Sequence, residues 1–116
     1  METNTINAYA ARLWDSYIEL FPKLAKFDCH KIVLCNRLTR TAGKNYQPEN
    51  KIHLGNKFFA KHKKEMLTVI LPHEMAHQID FNLFGLSEKK CGHGVQWAKI
   101  MVKLGLPANK YHSMEL

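Results

Sequence analysis

Between Lys63 and Gly85 the chain reads KKEMLTVILPHEMAHQIDFNLFG, and no other stretch restricts the fold as much. Apolar side chains at Met66, Leu67, Val69, Ile70, Leu71, Met75, Ala76, Ile79, Phe81, Leu83 and Phe84 surround the axis of any helix drawn through them. That is the pattern of a helix buried on nearly every side. Gly85 is a natural stop for it. Pro72 removes one backbone donor, which predicts a kink there or a helix that restarts just before His73. A core helix excludes ionisable groups unless something compensates them, yet this one carries His73, Glu74, His77 and Asp80.

The spacing supplies the compensation. His73 and His77 are four residues apart, so on a helix they share one face with about 6 Å between them, and both imidazoles reach one ion. Glu74 follows the first ligand directly, which sets a carboxylate beside the metal as a base rather than a ligand. This is the H-E-x-x-H arrangement of a catalytic zinc ion, and one Zn2+ is the expected cofactor. Such a site needs a third protein ligand. A metzincin would have Gly at position 80 and His at position 83, where this chain has Asp80 and Leu83, and no Glu lies between Glu88 and Glu115 to serve as a thermolysin-like ligand. His93 remains, between Gly92 and Gly94 and at the start of the last predicted helix, whose dipole favours the neutral ring. Cys91 stays open as a thiolate alternative, and His112 could approach from the C-terminal loop. Asp80, one heptad after His73, is expected at the surface, with orientation of an imidazole as its alternative role. His30, His53, His62 and His112 are expected to face solvent or bond locally.

The remaining segments frame this helix. Ile6, Ala10, Leu13, Trp14, Tyr17, Ile18 and Phe21 recur at three and four residues, predicting a helix capped by Asn4 or Thr5 and ended by Pro22. KIVLCN, TRTAGKNYQ and NKIHLG read as about three strands, the last two separated by the turn signal PEN. VQWAKIMVKLG predicts a short helix after Gly94 that stops at Gly105. The fold class is α+β, in a single domain spanning 1–116. Cys29, Cys35 and Cys91 offer no C-x-x-C pair, so the thiols are expected reduced, with Cys29 and Cys35 as small buried hydrophobes. No apolar run approaches the ~20 residues of a membrane span, and the N-terminus has no signal-peptide pattern, so the expected compartment is the cytoplasm and the expected state a monomer.

The net charge of +7 is unevenly distributed. Residues 31 to 64 hold nine basic side chains (Lys31, Arg37, Arg40, Lys44, Lys51, Lys57, Lys61, Lys63, Lys64) against Glu49 alone. Such a block is either a solvated face or a phosphate-backbone footprint, and DNA is the partner it suggests.

PHEMAHQ, then GHG with a Trp after two intervening residues, then LGLPANKYH, together with the upstream TAGKNYQPENKIHLGNKFF, resemble the SprT-like zinc metallopeptidase domain from about Ile32 onward. The resemblance implies a small zincin-like fold, His73, His77 and His93 as zinc ligands, and Glu74 as general base. It also implies a protein substrate, since the family includes a eukaryotic protease that degrades proteins crosslinked to DNA in a DNA-dependent manner. Proline directly before the first ligand is similar to the bacterial branch. Bacterial SprT-type chains continue into a cysteine-rich zinc ribbon, and this sequence has no such cysteines, so the basic middle third is expected to supply any DNA contact. Tyr46, Tyr111 and His112 are the candidate oxyanion donors. The competing readings are a peptidase acting on free regulatory proteins and a non-catalytic zinc-stabilised module.

Overall fold

The first helix, α1 (Thr3–Leu20), buries Ile6, Ala10, Trp14 and Tyr17 along the predicted stripe. It begins earlier than expected: Asn4 and Thr5 lie inside the first turn rather than capping it, and the Thr3 carbonyl accepts the Asn7 amide at 2.9 Å. Pro22 does end the helix, and it opens a short 3-10 helix, Pro22–Lys26, where its missing N–H is not needed. The computed structural model describes residues 3–37, 42–46, 49–84 and 95–106.

Three strands form the sheet: β1 (Lys31–Cys35), β2 (Gly43–Tyr46) and β3 (Lys51–Gly55), in the order β1-β3-β2. β1 and β3 are parallel, and β2 and β3 antiparallel. Asn50 makes the turn into β3 at φ 55, a left-handed conformation that asparagine tolerates better than most residues. Ile32, Ile52, Leu54 and Gly43 form the inner face, on which α1 covers β1 and the later helices cover β2 and β3. At the β1 edge the Asn7 carboxamide behaves as a neighbouring strand would, donating to the Ile32 carbonyl at 3.0 Å and accepting its N–H at 2.9 Å. Among the described residues, nothing pairs with the outer edge of β2.

After β3 come α2 (Asn56–Lys61) and one turn, α3 (Lys63–Glu65), then five residues of π-helix, Met66–Ile70, before α4 (Leu71–Phe84). The π turn resolves the proline problem. Leu71 N–H reaches back five residues to the Met66 carbonyl, and the next donor in that register would be Pro72, which has none. The Leu67 carbonyl that Pro72 would have served takes the Tyr9 hydroxyl of α1 at 3.3 Å. The helix thus restarts at Leu71, one of the two predicted outcomes. Every residue from Leu71 to Asp80 is buried, with the sheet on one side and α5 (Val95–Lys103) on another. α5 closes as expected at Gly105, whose φ of 77 permits a Schellman turn: Gly105 N–H bonds Val102 O at 3.0 Å and Leu106 N–H bonds Met101 O at 2.9 Å. Among the described residues no helix is long and apolar enough to cross a membrane.

Two expectations about single side chains are corrected. Cys29 and Cys35 are free but half-buried rather than buried. His30, expected to face solvent or bond locally, is 3% exposed and sits edge-on to Trp14 at 5.0 Å. Neither of its ring nitrogens meets a partner among the described residues. α1 and the strand it precedes close over it, and burial pushes its pKa down from 6.5 to about 4.

Tyr9→Phe leaves the Leu67 carbonyl without its donor and should lower unfolding free energy by about 1 kcal/mol in urea titrations. His30 makes stability pH-dependent. Its contribution is complete above the unfolded value of 6.5 and is lost as pH falls toward about 4, because only the unfolded chain takes up the proton in that window. At about 1.4 kcal/mol per pKa unit the loss amounts to roughly 3 kcal/mol. His30→Phe should flatten the decline in urea midpoint between pH 7 and pH 4.5; an unchanged pH profile would show that His30 is not its source.

Candidate metal centre

The first two turns of α4 bring His73, Glu74 and His77 together at 5%, 7% and 8% exposure. The two Nε2 atoms are 3.2 Å apart, with ring centroids at 4.8 Å and planes crossed at 76°. Facing nitrogens at that distance either share one proton or present both lone pairs to a cation. Two nitrogens bound to a tetrahedral zinc ion at 2.0–2.1 Å would lie about 3.3 Å apart, so the pair has the spacing the ion needs. A Glu74 carboxylate oxygen is 3.8 Å from His73 Nε2, and the three side chains each offer a donor atom within 4.8 Å of the others. This His/Glu/His group can hold a metal ion. His93, expected as the third ligand, lies outside the described residues, as do Arg40, Cys91, Tyr111 and His112.

Burial pushes the Glu74 carboxyl up from 4.5 to about 7, which favours the protonated acid near neutrality. A cation beside it acts in the opposite direction and favours the carboxylate.

Two neighbours that the motif itself does not name shape this group. Trp97, fully buried on α5, stacks on the His77 ring at 5.3 Å and 16° and meets the His73 ring more steeply at 5.1 Å and 65°. It packs against both imidazoles. From the sheet side, Gly43 lets β2 approach the helix: a Cβ there would lie 3.0 Å from Ile70 Cγ2 and 3.2 Å from Glu74 Cγ. An isolated glycine inside a strand signals such an approach, so Gly43 was legible in principle. Trp97 had only its position behind GHG to mark it.

Asp80 is buried rather than exposed, because α4 stays covered for ten residues. Further along the helix, Gln78 donates to Asn82 at 2.9 Å. Tyr46, a candidate oxyanion donor, is placed elsewhere. It lies on the face of β2 opposite Gly43, against His53 at 4.6 Å and beneath the Lys44 ammonium at 5.2 Å. Tyr46 lies three positions after Gly43, and an odd offset on a strand means opposite faces.

Gly43→Val should force β2 away from Glu74 and Ile70, lowering stability by about 1–3 kcal/mol and loosening the carboxyl's position, with metal stoichiometry retained. Unchanged melting together with unchanged metal-dependent activity would show that the strand yields freely.

The SprT-like family model matches residues 8–112, a span that takes in most of α1, the sheet, α4 and α5. The chain is 33% identical over 78 residues to Protein SprT of Vibrio atlanticus, a match covering 66% of this chain and 45% of that protein. It is 33% identical over 79 residues to Protein SprT of Glaesserella parasuis, covering 66% and 48%, and 31% identical over 77 residues to Protein SprT of Klebsiella pneumoniae, covering 66% and 45%. Each match thus spans just under half of the relative. No solved structure matches the chain. With a family model spanning most of its length and the His/Glu/His group inside that span, the chain belongs to the SprT-like family.

Proposed function

We propose that the chain is a zinc-dependent metalloendopeptidase in which His73, His77 and His93 hold the ion and Glu74 is the general base. The supporting observation is the 3.2 Å separation of two buried imidazole nitrogens with a carboxyl 3.8 Å from one of them. A structural zinc site has no use for a base beside the ion and favours four closed protein ligands. When bound, zinc supplies Lewis-acid polarisation of the scissile carbonyl and makes an adjacent water more acidic.

The chain's own residues do the rest. Glu74 accepts a proton at a carboxylate oxygen and returns it to the leaving amine nitrogen, and its buried setting keeps the proton from bulk water. Trp97 holds both imidazole planes, so the ligands need no reorganisation as charge develops. Among the described residues nothing pairs with the outer edge of β2, which begins at Gly43 against Glu74, and an extended peptide adding to that edge would run past the carboxyl. The substrate we propose is a protein bound or crosslinked to DNA. The support is the basic block of residues 31 to 64, whose lysines at 31, 44, 51, 57, 61, 63 and 64 and Arg37 are all exposed.

Glu74→Gln should keep one zinc per chain, measured by metal analysis of the dialysed protein, and lose cleavage of a loosely folded DNA-binding protein by at least about a hundredfold. Zinc-loaded Glu74→Gln protein that cuts at the wild-type rate would sink the assignment. Cleavage of the wild type that rises on adding DNA is the expected result for a substrate presented on nucleic acid; equal cleavage without DNA would favour a free protein as substrate.

A further inference from the structure

The basic block does not form one surface. Lys57 and Lys61 lie on α2 and Lys63 and Lys64 on α3, whereas Lys31, Lys44 and Lys51 lie on the three strands. Strand register puts those three lysines on the same side of the sheet. Lys31 pairs with Lys51, which pairs with Tyr46; Val33 pairs with His53, which pairs with Lys44. Ile32, Ile52 and Asn45 alternate to the inner face, so the outer face is a grid of two rows: Lys, Lys, Tyr above Val, His, Lys.

The composition of this grid is unusual for a solvated sheet face. The three lysines are exposed and the strands carry no acidic residue; Glu49, in the turn, is the nearest acid in sequence. Tyr46 and His53 place their rings diagonally across the two strands at 4.6 Å and 53°. A half-buried ring pair bordered by cations, with the Lys44 ammonium over the Tyr46 ring at 5.2 Å, offers two interactions at once, a flat apolar surface and neutralisation of phosphates. A duplex uses only the second, since its bases already stack on one another. An acidic peptide also uses only the second. A single-stranded nucleic acid uses both, with bases on the rings and phosphates on the ammonium groups.

We infer that the outer face of the sheet is a binding platform for single-stranded nucleic acid, with Tyr46 and His53 as the stacking surface and Lys31, Lys44 and Lys51 as phosphate contacts. The inference rests on the reading that the substrate protein is presented on nucleic acid, and it adds where the strand lies. β2 carries both roles: Lys44 and Tyr46 meet the nucleic acid on one face, while Gly43 faces Glu74 on the other. A strand bound here leaves the metal site and the β2 edge uncovered for the protein attached to it.

The test is fluorescence anisotropy of a labelled fifteen-residue oligo-dT with the full chain, across a salt series, in the wild type and in Glu74→Gln. Replacing Lys31, Lys44 and Lys51 together by Gln should weaken binding and flatten the salt slope by about two, since each single-strand phosphate contact contributes about 0.7. Replacing Lys26, Lys99 and Lys103 by Gln removes the same charge away from the sheet and should leave the slope nearly intact. Tyr46→Ala should cost roughly fivefold or more in affinity, and Tyr46→Phe, which keeps the ring, little. Thermal melting checks that each variant is folded, and the exposed lysine set decides the matter if Tyr46→Ala is not. Three results would overturn the platform: no binding, equal effects of the two lysine sets, or equal affinity for a duplex of the same length. Cleavage that persists in the wild type without oligonucleotide binding removes the platform alone. Binding without any cleavage removes the peptidase reading alone.

Discussion

Burial of α4 is the constraint to which the other elements respond. A helix in the centre of a small protein takes two imidazoles and a carboxyl out of water within five residues, and desolvation alone opposes charge on each of them. The sheet and α5 nevertheless close on this helix from two sides, each supplying a residue fitted to the polar turn. From below, a strand position without a side chain leaves room for Glu74; from above, an indole lies against both imidazole rings. An environment this dry strengthens any interaction with a cation held between the nitrogens. The features that make the helix awkward as a core element are those that let its His/Glu/His group hold a metal ion.

The helix and its pair of imidazoles were legible because two periodicities coincide there: continuous apolarity, and a four-residue repeat of histidine. Pro72 marked a disturbance, but its form was not readable. The π turn depends on a hydroxyl 58 residues upstream taking an orphaned carbonyl, and no local pattern encodes that. Isolated polar residues were the least readable. His30 and Asp80 are buried because of what packs over them, and composition around each gives no hint of it. Tyr46 is different, since the odd separation from Gly43 already placed it on the far side of its strand once β2 was assigned.

Family membership and charge bear on different parts of the molecule. The family match spans most of α1 and all of the other elements described, so the frame for the metal group is shared with relatives more than twice the length of the matched segment. The lysine-bearing strands belong to the same frame but face away from it. In a three-stranded sheet each strand must serve two surfaces, and here one surface is apolar and sterically tight while the other is cationic and open. The inner surface is tight at Gly43, where a Cβ would lie 3.0 Å from Ile70 and 3.2 Å from Glu74; the outer surface carries three exposed lysines and two half-buried rings.

That division ties the register of one strand to the surroundings of the His/Glu/His group. β2 is four residues long and lies at the edge, held to the sheet by β3 alone. Sliding it by one residue would exchange its two faces. Lys44 would then arrive where Gly43 now sits, setting a long side chain into a gap where a Cβ alone would lie 3.0 Å from Ile70 and 3.2 Å from Glu74, and bringing a positive charge toward that carboxyl. The number of residues joining β2 to β3 therefore bears on the His/Glu/His group: it decides whether Glu74 faces a glycine or a lysine.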